Sequence, residues 1–396
     1  MNNSLINTIE EKFYTQFETK PQLAFAPGRI NVIGEHTDYN EGFVFPAAIN
    51  LGVGVAIQKC ENFNCQIISL DMNESLRFDI SKDLKPITSG SWKNYILGII
   101  IELKKKSYQL QGFNMVFGGD IPIGSGLSSS AALENAFLIA INELQQLNLD
   151  KFEMIHIAQK AEHNAVGVKC GIMDQYSSMF GKKGQALFLD CNTITSEAVP
   201  LHLDNYEILL INSNVKHSLA ENAYNERREA CERVNKALNI PSLRYLTIET
   251  LEENKHKLNT DDYIKALYVI NENRRVENSV AVLKQQNIKA LGELLFESHQ
   301  GMKNRYQITC PELDFLVDFA YQHPDVIGAR MMGGGFGGCT INIVKKGKSK
   351  SFFNEVSKQF QNTFKTLCTA IPITIENGAQ LIKTNVTNAI STRTIS

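Results

Sequence analysis

A loop of glycines and serines runs directly into a helix, and this junction constrains the fold more than any other feature of the chain. Residues 121–132 read IPIGSGLSSSAA, and apolar side chains recur at helical spacing over residues 131–147. Glycines let the backbone wrap closely around a phosphate, and the start of the following helix presents free N–H groups and the positive end of its dipole. The junction therefore predicts a phosphate cradle, with a nucleoside triphosphate as its natural ligand.

This cradle is not a Walker loop. No lysine follows the second glycine, so the pattern G-x-x-x-x-G-K-[ST] is absent. We expect backbone amides and serine hydroxyls to bind the phosphates, and one of the serines to ligate a magnesium ion. The alternative is that the serines only cap the helix.

Polar and charged side chains crowd into residues 29–40, which read RINVIGEHTDYN and lie between two hydrophobic stretches. Proline and glycine before this segment, and glycine after it, indicate a constrained connection. Carboxylates and an imidazole suit the alternating donors and acceptors of a sugar, which favours Glu35, His36 and Asp38 as ligands. The alternative is a capped turn in which His36 and Asp38 bond to local backbone amides and Arg29 pairs with Glu35.

Two further carboxylates stand out. Glu162 falls on the apolar face of a predicted helix at residues 152–166, where it needs a partner such as a metal ion or a hydroxyl. Asp174 follows at the predicted start of another helix. It is either an N-cap or a general base kept ionised by a nearby cation, for which Arg29 is the candidate.

Strand and helix patterns are mixed along the chain without a regular β-α-β alternation, which predicts an α+β fold. Predicted strands cover residues 43–57, 186–189, 207–211 and 339–344, and further helices cover 219–238 and 311–320. The length of 396 residues favours two domains, which we place at residues 1–200 and 201–396.

A second glycine cluster at residues 333–338 formally contains G-x-G-x-x-G. A strand follows it instead of a helix, so the sequence excludes a Rossmann dinucleotide site. The cluster is either a tight hairpin or a loop that packs against the phosphate loop or the substrates.

Composition excludes several classes of protein. The net charge of −2 gives no reason to expect nucleic acid or an anionic membrane as a partner. The longest apolar stretch, near residues 95–101, is far shorter than the ~20 residues that span a bilayer. Eight cysteines are scattered without the spacing of a zinc site, and the N-terminus lacks an export signal, so we expect a soluble, cytoplasmic protein with reduced thiols.

Taken together, these segments resemble the GHMP family of small-molecule kinases. Residues 29–40 are similar to the sugar signature of its galactose-type subgroup, residues 122–131 to its phosphate loop, and residues 332–340 to its third, glycine-rich motif. The resemblance covers nearly the full length. It implies two α+β lobes with the active site in the cleft between them.

The resemblance also implies a reaction and its residues. ATP, with Mg²⁺, would phosphorylate the anomeric hydroxyl of α-D-galactose to give galactose 1-phosphate, the entry to galactose catabolism by the Leloir pathway, in a monomeric enzyme. Asp174 would take the hydroxyl proton while Arg29 stabilises the developing charge. The sugar would be held by Glu35, His36, Thr37, Asp38 and Tyr224. The phosphates would be held by Gly124, Ser125, Gly126, Leu127, Ser128, Ser129 and Ser130, and the magnesium ion by Ser130 and Glu162.

The sequence leaves two other functions open. A relative that acts on N-acetylgalactosamine, galacturonate or arabinose would share this machinery and differ in a few pocket residues. A sugar and ATP sensor that has lost the chemistry would share the fold, but the presence of Arg29 and Asp174 argues against it.

Overall fold

The computed structural model of the protein describes residues 2–87, 91–216 and 220–382. Helices and strands are mixed along this part of the chain, which confirms the predicted α+β class. The helices are α1 (Asn3–Phe17), α2 (Lys93–Lys105), α3 (Ser129–Gln145), α4 (Lys151–Ala161), α5 (Met173–Phe180), α6 (Ala220–Leu238), α7 (Ile248–Glu253), α8 (Thr260–Lys284), α9 (Ile288–Gly301), α10 (Pro311–Gln322) and α11 (Ser349–Phe364). Over the same residues, no helix combines the length and apolar character needed to cross a membrane.

The strands form three sheets within the described residues. They are β1 (Gln22–Asn31), β2 (Phe43–Val44), β3 (Pro46–Lys59), β4 (Asn64–Ser69), β5 (Glu74–Asp79), β6 (Phe113–Gly119), β7 (Gln185–Asp190), β8 (Thr195–Pro200), β9 (Tyr206–Lys216), β10 (Val326–Met331), β11 (Gly337–Lys345), β12 (Thr369–Pro372) and β13 (Gln380–Ile382). The sheet orders are β13-β1-β3-β6-β4-β5, β10-β11-β9-β12 and β2-β7-β8.

The first sheet is covered by helices on both faces. From α1, Ile9 and Phe13 pack on one face around Phe25 of β1. From α3, apolar residues such as Phe137 pack on the other face around Ala24. Burial on both faces explains why β1 reads as a continuous apolar run instead of alternating with polar residues.

The second sheet builds the other large core. Phe352 and Phe360 of α11 pack against Ile211 of β9 on one face. Ile341 of β11 packs on the opposite face in a cluster that also includes Leu127 of the glycine-serine loop. The phosphate loop is therefore anchored by its leucine to the core beneath the second sheet.

The domain boundary proposed at residue 200 stays a proposal. One strand pairing joins residues from its two sides. Strand β13 pairs antiparallel with β1, with Leu23 opposite Ile382, so a segment late in the chain completes the first sheet. Helix α6 begins at Ala220, one residue after the predicted start. That predicted start, residue 219, lies outside the described residues.

Candidate active site

Eight of the predicted site residues line one cavity of about 420 Å³. Its wall combines the end of β1 and the loop after it, the start of α3, the turn after α4, the start of α5 and the glycine cluster before β11. The predicted residues that line it are Arg29, Glu35, His36, Asp38, Ser130, Glu162, Asp174 and Tyr224, together with Gly333, Gly334 and Gly335.

Arg29 and Asp174 form a bidentate ion pair at this wall. Arg29 Nε lies 2.7 Å from Asp174 Oδ1, and Nη2 lies 2.8 Å from Oδ2. The register of β1 against β3 shifts between Pro27 and Arg29, and such a shift re-aims the side chain that follows it. Burial opposes the charge of Arg29, but attraction to Asp174 and Glu35 raises its pKa above the ordinary value. Asp174 does not cap α5, whose N-cap residue is Ile172.

The phosphate loop is tied to this ion pair. Arg29 Nη1 donates to the carbonyl oxygen of Gly126 at 2.7 Å. The backbone N–H of Arg29 donates to the carbonyl oxygen of Leu127 at 3.1 Å. Gly126 has a φ of +74°, a conformation that a side chain would strain. The hydroxyl of Ser128 donates to Asp174 Oδ2. The loop therefore approaches the carboxylate through both its backbone and a serine side chain.

Two residues of the loop after β1, which we call the sugar loop (residues 32–40), are held by the glycine cluster. Glu35 Oε1 accepts from the backbone N–H of Gly333 at 2.8 Å and from Arg330 Nη2 at 3.0 Å. His36 Nε2 lies 3.1 Å from the carbonyl oxygen of Gly334, and Nδ1 lies 2.8 Å from the hydroxyl of Tyr39. Since a carbonyl oxygen only accepts, Nε2 carries the hydrogen. Burial lowers the pKa of His36 to about 4, so the ring is neutral at physiological pH.

Asp38 and Tyr224 face the same cavity. Burial, and then repulsion by Asp174, raises the pKa of Asp38 to about 7. Burial raises the pKa of Tyr224 well above its usual value, so its hydroxyl stays protonated. The rings of Tyr224 and His36 have centroids 5.0 Å apart. A carboxyl group and a phenol in the cavity that Arg29 and Asp174 also line offer an acceptor and a donor to a polyol.

Some predicted ligands are not at the cavity. Thr37 is fully buried, with Oγ1 2.9 Å from the carbonyl oxygen of Gly34 and 2.6 Å from that of Phe43. Ser125 is 1% exposed and donates to the carbonyl oxygen of Pro122, and Leu127 packs in the core. These side chains shape the two loops instead of facing the space between them.

A group of acidic side chains surrounds Ser130. Glu162 begins a π-helical turn, Glu162–Val166, a type of turn frequently found at functional sites, and accepts a hydrogen bond from Ser130. Burial and the nearby Asp174 raise the pKa of Glu162 to about 7. Burial raises the pKa of the neighbouring Glu134 well above its ordinary value, and its Oε1 is buried without a hydrogen-bond partner.

This acidic group fits a divalent cation. Buried carboxylates in contact leave negative charge that a cation would neutralise. No cluster of three or more His, Cys, Asp or Glu side chains suited to a metal occurs in the described part of the chain. Mg²⁺ does not require one, because it is usually bound by one or two carboxylates together with substrate phosphates.

The sequence did not predict a second cavity of about 570 Å³ beside the phosphate loop. Trp92 and Tyr95 at the start of α2, Phe117 of β6 and Leu133 of α3 line it, and Ser129 and Ser130 border it. Its apolar walls suit a flat aromatic group. The only sequence signal was an aromatic pair near the start of a helix.

Arg330 is another feature that the sequence did not predict. It is fully buried and donates to the carbonyl oxygens of Asn31 and Val32 as well as to Glu35. It therefore joins the sugar loop to the strand that precedes the glycine cluster. No local motif marks it, because its partners lie almost three hundred positions earlier in the chain.

Comparison with known families shows which proteins this chain is similar to. Three family models match: the GHMP kinases N terminal domain at residues 94–182, the galactokinase galactose-binding signature at residues 11–59, and the GHMP kinases C terminal domain at residues 279–362. The galactokinase of Thermotoga maritima is 43% identical over 339 residues, which are 86% of this chain and 94% of that protein.

Solved structures give the same result. The galactokinase of Lactococcus lactis complexed with galactose superposes with a TM-score of 0.88 at 35% identity, covering 94% of this chain and 98% of that one. The mevalonate kinase of Methanococcus jannaschii superposes with a TM-score of 0.64 at 21% identity, covering 90% of this chain and 99% of that one, and shares the fold.

Proposed function

The chain belongs to the galactokinases of the GHMP kinase family, and on this premise we propose that Asp174 and Arg29 carry out its ATP-dependent phosphorylation of galactose. The observation that carries this assignment is their bidentate pair at the wall of a cavity shared by the sugar loop and the phosphate loop. The pair is the point at which the two substrates would meet.

Asp174 acts as the general base. It accepts the proton of the anomeric hydroxyl while the C1 oxygen forms a bond to the γ-phosphorus of ATP. The bond from that phosphorus to the oxygen bridging the β- and γ-phosphates breaks, and ADP leaves. Arg29 stabilises the charge that develops on the transferring group. Phosphoryl transfer depends mainly on positioning and charge neutralisation, which a fixed ion pair supplies.

The sugar lies between Asp38 and Tyr224. Asp38 accepts hydrogen bonds from sugar hydroxyls and Tyr224 donates one, which fits their positions in the cavity wall. Glu35 and His36 complete the wall and are oriented by the glycine cluster. Thr37 acts on the sugar only through the shape of its loop, because its hydroxyl bonds within that loop.

ATP lies across the glycine-serine loop. The stretch from Gly124 to Ser130 binds the phosphates through backbone N–H groups and the start of α3. The adenine ring occupies the second cavity, where Trp92 and Tyr95 supply aromatic faces next to Ser129 and Ser130. This arrangement directs the γ-phosphate toward Asp174.

Ser130 and Glu162 would hold the magnesium ion. Their hydroxyl–carboxylate contact and the surplus of acidic groups around them support this assignment. When bound, the ion supplies positive charge to the phosphate oxygens. Arg29 and the backbone of the loop supply the remaining neutralisation.

We also propose that the enzyme works as a monomer in the cytoplasm. Residues of a single chain build the whole cavity wall, so the site needs no partner copy. Size-exclusion chromatography with light scattering would test the first statement, and a molecular mass of twice 44.3 kDa would contradict it.

The proposal is tested by measuring ADP release with magnesium and ATP on galactose, N-acetylgalactosamine, glucose, arabinose and galacturonate in parallel. We expect a clear preference for galactose. Turnover of another sugar alone would keep the assignment of Asp174 and Arg29 but change the substrate. Binding of galactose without turnover of any sugar would favour a sensor.

A further inference from the structure

Glu134 is a buried carboxyl group that the proposed reaction does not use. It lies on α3 one helical turn after Ser130 and is fully buried. Its carboxyl group lies next to that of Glu162. Both side chains are buried, at 0% and 6% exposed, so their contacts are shielded from water.

Gln175 contacts both members of this pair. Its Nε2 lies 3.0 Å from Glu162 Oε1 and 3.4 Å from Glu134 Oε2. Its backbone carbonyl oxygen accepts from Asn135 Nδ2 at 2.9 Å, and Asp174 precedes it on α5. The three side chains therefore connect the helix of the phosphate loop, the helix of the base and the turn that carries Glu162.

We propose that Glu134 is a positioning residue which, together with Gln175, fixes the carboxyl group of Glu162 in the orientation that binds the metal ion. This inference rests on the proposed role of Ser130 and Glu162 as metal ligands. Glu134 itself does not touch substrate or metal.

The orientation of Glu162 depends on the side chains around it. Glu162 starts a π-helical turn at the end of α4. Glu162 contacts Ser130, Glu134, Gln175 and Cys170. Two of these four contacts are made by Glu134 and Gln175. Loss of such outer contacts typically costs ~10- to 100-fold in metal affinity.

Binding of Mn²⁺, followed by electron paramagnetic resonance with ADP present, tests the inference without turnover. Glu134→Leu removes the hydrogen bond at similar size, and we expect it to weaken Mn²⁺ binding ~10- to 100-fold. Glu134→Gln keeps a polar side chain of the same size beside Glu162 and Gln175, and we expect its Mn²⁺ affinity to stay close to that of the wild type.

Glu102→Gln is the matched control. Glu102 is a buried carboxylate that accepts from Asn164 within the same π-helical turn at 2.9 Å, without contacting Glu162. If buried carboxyl groups around this turn only stabilised the fold, Glu102→Gln and Glu134→Leu would lower the Mn²⁺ affinity equally. We expect wild-type affinity in the control.

Wild-type Mn²⁺ affinity in folded Glu134→Leu would overturn the inference. If that variant does not give a cooperative melting transition, Gln175→Met removes the other contact to Glu162 and must weaken Mn²⁺ binding by a similar factor. Failure of the proposed function is recognised separately, because it would appear as absent galactose-dependent ADP release in the wild-type protein.

Discussion

Arg29 holds both carboxylate oxygens of Asp174, with Nε 2.7 Å from Oδ1 and Nη2 2.8 Å from Oδ2. The planar guanidinium fixes the plane of the carboxylate as well as its position. The third donor, Nη1, bonds to the carbonyl oxygen of Gly126 at 2.7 Å. Direct hydrogen bonds therefore join Asp174, Arg29 and the glycine-serine loop, so we expect a substitution of either side chain to affect the other two groups.

Asp174→Asn should reduce kcat by ~10²- to 10⁴-fold, the usual contribution of a general base. The amide is nearly the same size but cannot accept the anomeric proton. Steady-state kinetics with galactose and ATP would measure the loss, and Asp204→Asn, at an exposed loop position, is the control. An Asp174→Asn enzyme that retains most of the wild-type kcat would exclude Asp174 as the base.

Arg29→Lys should lower kcat by ~10²- to 10³-fold, the typical effect of removing one donor that stabilises developing charge. Lysine keeps the charge but loses the fork that spans both oxygens of Asp174 and reaches Gly126. We expect a much smaller change in the KM for galactose, because the interaction strengthens in the transition state. The exposed Arg77→Lys serves as control. A change confined to KM would contradict this role for Arg29.

The sequence predicted the elements that periodicity and turn chemistry determine. The helix after the glycine-serine loop was confirmed as α3, and the strand predicted at residues 43–57 was confirmed as β2 and β3. Strand β8 was not predicted, because most of its residues are exposed and it carries little apolar alternation. β8 forms a hairpin with β7. The polar stretch at residues 190–195 carried no pattern from which this hairpin could be predicted.

Motifs located the site but did not say which side chains face it. Thr37 and Leu127 belong to the two loops, yet they point into the interior. Glu134 and Arg330 lie outside the sequence motifs. Their hydrogen-bond partners are distant in sequence or lie on another element. Spacing along the chain carries no information on such contacts, which arise only when the sheets and helices pack together.

Asp38→Asn should stabilise the substrate-free protein more at pH 8 than at pH 5. Burial and Asp174 raise the pKa of Asp38 to about 7, so the folded protein retains a proton that the unfolded chain loses near pH 4. The contribution of Asp38 to stability is therefore full below pH 4 and is lost as the pH rises to about 7. Asparagine has no proton to lose, and the gain at pH 8 should be about 1–2 kcal/mol after allowance for solvent in the cavity.

Thermal melting of both proteins across pH 5–8 measures this difference. Asp204→Asn should give the same offset from wild type at each pH, because Asp204 is exposed and away from the cavity. An offset for Asp38→Asn that does not grow with pH would show that the carboxyl group is already ionised at pH 5.

Trp92→Leu should raise the KM for ATP without affecting the KM for galactose. Trp92 lines the second cavity, where its ring packs edge-on against Phe117 with centroids 5.0 Å apart. Stacking of a base on an aromatic ring contributes ~1–3 kcal/mol, so the expected increase is about 5- to 150-fold. Phe152→Leu, which removes a half-exposed ring of α4 outside the cavity, should leave both constants unchanged.

Trp92 also provides a direct signal for the nucleotide, because it is the only tryptophan in the chain. ADP should change the intrinsic fluorescence of the wild-type protein in a saturable way, since the base would lie against the indole. Galactose would bind at the first cavity, which Trp92 does not line, and should leave the emission nearly unchanged. A large change with galactose and none with ADP would place the adenine ring elsewhere.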